Sequence, residues 1–68
     1  MESVVVTDPE IMSGEPTFRG TRVLVRTLFE YLEAGYSLER FLEGFPGVSR
    51  EMALRALEEA RESLFAKH

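Results

Sequence analysis

The apolar positions of this chain change their period once. Up to about residue 24 they come in short pieces: the β-branched run Val4, Val5 and Val6, then Ile11-Met12, Thr17-Phe18 and Val23. Turn-forming stretches separate them, first Thr7-Asp8-Pro9-Glu10, then Ser13-Gly14-Glu15-Pro16, then Arg19-Gly20-Thr21. Residues 1–24 therefore read as an arm of short extended segments. Strands this short do not hold a sheet alone. The edge formed by Val4, Val5 and Val6 is expected to seek a partner strand, with the same strand of a second subunit as the candidate.

From Val25 the spacing becomes helical. Val25, Leu28, Phe29 and Leu32 fall at i, i+3, i+4 and i+7, with Arg26, Glu30 and Glu33 opposite. Gly35 stands where a left-handed C-cap is expected. Ser37 is placed to cap a second, short helix with Leu38, Phe41 and Leu42 on its inner face. Gly44-Phe45-Pro46-Gly47 ends that helix, and Phe45 is assigned to the core. Ser49 caps the third and longest helix, which runs to about Ala66 with Ala53, Leu57, Ala60 and Leu64 as its expected buried stripe. The whole chain, residues 1–68, is read as a single domain. It is mainly α, with a short N-terminal β-strand arm followed by a three-helix helix–turn–helix array over residues 25–66. Generic three-helix cores give the same string, so the pattern leaves nucleic-acid binding and a plain interaction bundle both open.

Composition narrows the chemistry. A domain of 68 residues buries only about 60% of the surface its unfolded chain exposes. Small domains compensate with disulfides, a metal or oligomerisation. With no cysteine, disulfides and thiolate metal sites are excluded. The single histidine, His68, is the last residue, where it has no rigid surroundings to preorganise a ligand or general base. Oligomerisation remains, and a homodimer is the expected form. No cofactor, small-molecule substrate or enzymatic activity is expected: there is no usable His, no Gly-rich phosphate loop, and the only lysine is Lys67. No apolar run has the length of a membrane span and no basic region precedes an apolar one at the N-terminus, so a cytoplasmic protein is expected. Asn and Gln are absent altogether, as in some heat-adapted proteins.

The formal charge of −4, from 8 basic and 12 acidic residues, opposes wrapping of nucleic acid by bulk charge and suits a basic partner. In a helix–turn–helix reader the exposed face of the last helix enters the major groove. Here that arc, about 80° to 180° from Arg50 at 100° per residue, holds Glu58, Glu51, Glu62, Arg55 and Glu59. Four carboxylates there repel phosphate. Glu51–Arg55 and Arg55–Glu59 are i,i+4 pairs, which reads as a solvated, salt-bridged face. The candidate DNA contacts are instead Arg19, Arg22 and Arg26 around the arm, with Arg50 at the start of the last helix. A structural use competes at each: Arg19 or Arg22 can tie down the arm by pairing with Asp8, Glu10 or Glu15, the preferred reading for Arg22. Arg50 can be an ordinary surface residue near the cap. Leu54 and Phe65 widen the apolar face of the last helix beyond the needs of one small core, which points to a subunit or partner contact. With Glu51, Glu58, Glu59 and Glu62 they form the candidate partner-binding surface.

One stretch carries a family resemblance. Residues 14–25, Gly-Glu-Pro-Thr-Phe-Arg-Gly-Thr-Arg-Val-Leu-Val, follow a Gly-x-Pro, apolar, Gly-Thr-Arg, apolar, Val pattern. The match continues through Asp8-Pro9, residues 32–39, Phe45-Pro46 and Ser49-x-Glu51. The sequence resembles the domain-of-unknown-function family 433, small proteins regarded as VapB-like antitoxins. The resemblance covers roughly residues 4–64. It implies a winged-helix or homeodomain-like fold, a dimer, and the role of antitoxin in a type II toxin–antitoxin pair, binding operator DNA and masking a PIN-like ribonuclease. Antitoxins commonly continue into a flexible segment that wraps the toxin, whereas this sequence ends soon after its last helix. Either the folded domain itself binds the toxin, or the antitoxin role does not hold; the alternative function is then a small protein–protein interaction module without DNA binding. In the first case the carboxylate row of the last helix is the natural mimic of RNA phosphates.

Overall fold

The computed structural model describes residues 3–66, so Lys67 and His68 lie outside the described residues. Strand β1 is Val5–Val6 and strand β2 is Thr17–Phe18, followed by helices α1 (Val25–Glu33), α2 (Leu38–Gly44) and α3 (Arg50–Phe65). The fold is thus a short strand arm leading into three helices.

The arm closes on itself. β1 and β2 are antiparallel, with Val5 opposite Phe18 and Val6 opposite Thr17. The Arg19 N–H donates to the Val4 carbonyl at 2.7 Å and the Phe18 N–H to the Val23 carbonyl at 3.0 Å, so β2 is flanked on both sides. Val5 and Val6 therefore find a partner strand within the chain, where the sequence alone pointed to a second subunit. The alternation of an antiparallel ladder turns the Val5 N–H away from β2, and Ser3 Oγ accepts from it at 2.9 Å. Between the strands the backbone makes a left-handed turn at Met12, Ser13 and Gly14, with φ of 51°, 58° and 83°. Two of these are not glycine, a conformation that surrounding contacts must sustain.

The helices begin and end on local chemistry. Ser37 Oγ accepts from the Arg40 N–H and Ser49 Oγ from the Met52 N–H, both at 3.1 Å, so each hydroxyl satisfies one orphan donor of its helix. At the end of α1, Gly35 (φ 94°) turns the chain left-handed. Its N–H donates to the Leu32 carbonyl and that of Tyr36 to the Tyr31 carbonyl, each at 3.0 Å. The Tyr31 and Tyr36 rings meet across this turn with centroids 5.4 Å apart, the apolar contact that accompanies such a cap.

Phe18, Leu28 and Phe41 are completely buried, joined by Val25, Val48, Ala53 and Ala56. The centre is aromatic. Phe41 meets Phe45 at 4.9 Å, Tyr31 at 5.5 Å and Phe18 at 6.2 Å between ring centroids. Phe45 packs against the core only half-buried, while Val48 is the buried residue of the α2–α3 turn. α3 presents Ala53 and Ala56 to this core, with Leu57 and Ala60 half-buried beside them. Leu64, expected in the buried stripe, is 76% exposed. The buried arc lies on the expected side of the helix, but residues 61–66, its last turns, are all exposed, with no other element of the described residues covering them.

Candidate protein-interaction surface

Three of the four candidate arginines are drawn into different contacts. Arg19 Nε donates to the Ser3 carbonyl at 2.9 Å, holding the arm's start against β2. Arg26 lies 3.6 Å from the Glu15 carboxylate and 3.9 Å from that of Glu30. Arg50 Nη1 donates to Glu39 Oε2 at 2.7 Å, bridging α2 and the start of α3. That bond, more than any other contact, holds the Glu39 carboxyl below the ordinary glutamate range. Arg22, the preferred arm-tie on sequence grounds, is exposed and makes no hydrogen bond or ion pair among the described residues. The tie is Arg19, because β2 points its side chain toward Ser3.

The carboxylates of α3 divide as well. Glu51, Glu58 and Glu62 are exposed. Glu59 is half-buried and leaves the solvated row: its Oε1 accepts from Ser3 Oγ at 2.7 Å and its Oε2 from the Val4 N–H at 3.4 Å. Glu59 is therefore a latch that pins the arm to α3 from 55 residues away. Neither i,i+4 pair with Arg55 forms, and no ion pair among the described residues involves Arg55. Hydrogen bonds to a charged group contribute about 1.5–3 kcal/mol, less when long. Glu59→Ala should accordingly cost about 1–2 kcal/mol in urea unfolding. It should also speed amide exchange at Val5 and Arg19 ahead of the helices. Uniform exchange across the chain would show that Glu59 does not hold the arm.

What α3 turns outward is apolar and acidic together. Leu54 is 47% exposed and Phe65 is 70% exposed, joining Leu64 on the same helix. A shallow open depression lies between Arg61, Glu62, Phe65 and Ala66. Among the described residues no group of three or more His, Cys, Asp or Glu is placed to hold a metal ion. Among those residues, too, no helix is long and apolar enough to cross a membrane. At another corner Arg40 stacks over the half-exposed Tyr36 ring at 5.9 Å.

Comparisons with known proteins agree with the fold and leave activity open. A family model described as "Protein of unknown function (DUF433)" matches residues 5–60. The uncharacterized protein y4eO of Sinorhizobium fredii (strain NBRC 101917 / NGR234) is 42% identical over 48 residues, covering 71% of this chain and 22% of that protein. A DUF433 member protein from Anabaena variabilis, known from a crystal structure, superposes with a TM-score of 0.78 at 24% identity. That match covers 90% of this chain and 60% of the other, and it carries the fold alone. The chain thus spans only a part of each relative.

Proposed function

The chain belongs to the DUF433 family of proteins of unknown function, and from that premise we propose that it is a protein-binding domain whose docking surface is the outer face of α3. One observation carries this reading: Leu54 and Phe65 stand in solvent on one side of one helix, among the exposed carboxylates Glu51, Glu58 and Glu62. Apolar anchors ringed by charge are the anatomy of a protein interface, in which buried anchors supply affinity and the rim supplies orientation and rate.

In the toxin–antitoxin setting that the Gly-Thr-Arg motif implies, this is the masking half of an antitoxin's work. A PIN-like ribonuclease grips RNA through a basic groove, and the carboxylates of α3 are its electrostatic complement. The test is titration of the domain with a ribonuclease encoded beside its gene. Glu51→Lys with Glu62→Lys should raise the dissociation rate about 10–100-fold, since charge reversal at a complementary interface costs a few kcal/mol. An unchanged rate removes the toxin-masking role.

A second reading, operator binding, is favoured by the open guanidinium of Arg22 beside the Gly20-Thr21 turn. It is the weaker one, because a single arginine neutralises one phosphate and the net charge is −4. It is checked by salt-dependent retardation of the DNA upstream of the gene.

A further inference from the structure

The exposed strip of α3 has an internal order that its composition alone does not reveal. Leu54, Glu58, Arg61 and Phe65 are spaced four, three and four residues apart. Projected at 100° per residue they fall within an arc of about 60°. This is the a/d spacing of a helix-pairing seam, and all four residues are exposed. The outer positions are apolar and the inner two carry opposite charges.

We propose that this seam docks a second copy of the same helix, antiparallel, about a twofold axis passing between Glu59 and Ala60. The proposal rests on the reading of α3 as a docking surface and names its occupant. An even rise per residue then sets Leu54 level with Phe65 of the second copy and Glu58 level with Arg61 of the second copy. Each contact occurs twice, as a self-complementary interface requires.

The charges choose the occupant and its direction. A parallel pair would stack Glu58 on Glu58 and Arg61 on Arg61, burying like charges against each other. Along this seam a basic partner would find Glu58 but be opposed by Arg61; the carboxylates that suit such a partner, Glu51 and Glu62, lie to one side of it, at about 100° and 120° on the same projection. The antiparallel copy satisfies both Glu58 and Arg61 and closes the apolar layers at each end. The rest of the chain leaves room for it. The core lies against Ala53 and Ala56, and the arm is fastened at Glu59, both away from the seam.

The experiment uses two charge reversals at exposed positions, where the fold is not at stake. Sedimentation of the wild-type chain should show a concentration-dependent monomer–dimer equilibrium. Glu58→Arg and Arg61→Glu should each weaken self-association about 10-fold or more, because every charged layer becomes like against like. An equimolar mixture of the two variants should pair again, since each charged layer of the mixed pair once more sets a guanidinium against a carboxylate. Three results would overturn the proposal: a wild-type chain that stays monomeric up to about 1 mM, single variants that dimerise like the wild type, or a mixture that does not pair. A chain that is monomeric yet binds the ribonuclease through Glu51 and Glu62 overturns the pairing and leaves the docking face standing. A chain with neither association takes both readings down.

Discussion

Phe41→Ala should remove about 3–5 kcal/mol of stability, the usual cost of deleting a buried aromatic ring. The ring is completely enclosed and meets Phe45, Tyr31 and Phe18, so no single neighbour can collapse into the space it leaves. Domains carry about 0.05–0.15 kcal/mol of stability per residue, so a chain this short has little to spare. At about 4–8 °C per kcal/mol, the melting temperature should fall by tens of degrees, and the domain should be largely unfolded when warmed modestly. Thermal unfolding followed by circular dichroism checks this. A loss below about 1 kcal/mol would place Phe41 outside the core.

Phe18→Ala should cost a similar amount, about 3–5 kcal/mol, by a different route. Phe18 belongs to the arm, and its ring is the arm's anchor among the helices. Its N–H and carbonyl also organise the following turn, bonding Val23, the Thr21 N–H and Thr21 Oγ1. Removing the ring should loosen β2 and with it the seat of β1. Because the Phe18 and Phe41 rings touch, the double variant should cost less than the sum by about 0.5–3 kcal/mol. Strict additivity in a double-mutant cycle would show that arm and helices are stabilised independently. A loss under about 1 kcal/mol for Phe18→Ala alone would make the arm an appendage.

Phe18 also marks where sequence reading stops. The helices were legible because their signals are local: the 3.6-residue period from Val25, the serines at 37 and 49, and Gly35 after the last turn of α1. Ser37 and Ser49 cap as expected, and α1 and α3 begin at the positions the spacing indicates. The arm was legible only as extended pieces. Nothing within residues 1–24 says that Val5 and Val6 pair with Thr17 and Phe18, nor that Phe18 is a central core residue, because burial there comes from helices far along the chain. Leu64 fails for the opposite reason. Its phase on the helix is right for burial, but phase does not say how far the neighbouring elements extend.

The candidate site divides in the same way. The apolar edge of Leu54 and Phe65 was visible from their helical positions, and the structure leaves both exposed. The roles of charged groups were not visible, since each has many oppositely charged candidates and only the fold brings one close. Glu59 looked like its neighbours Glu58 and Glu62 until the arm was placed against it. Arg26 found Glu15, and Arg50 found Glu39 across the α2–α3 junction. These are contacts between elements, and no local spacing encodes them.

The latch at Glu59 bears finally on the speed of folding. α1, α2 and α3 follow one another over short connections, so their contacts form early and at low entropic cost. Joining Ser3 to Glu59 closes a loop of 56 residues, a step that gains little until the helices are already packed. An interaction made after the rate-limiting barrier leaves the folding rate almost untouched and slows escape from the native state. The arm's fastening should in this sense act as a brake on unfolding: Glu59→Ala is expected to speed unfolding and leave the folding rate nearly unchanged in stopped-flow kinetics.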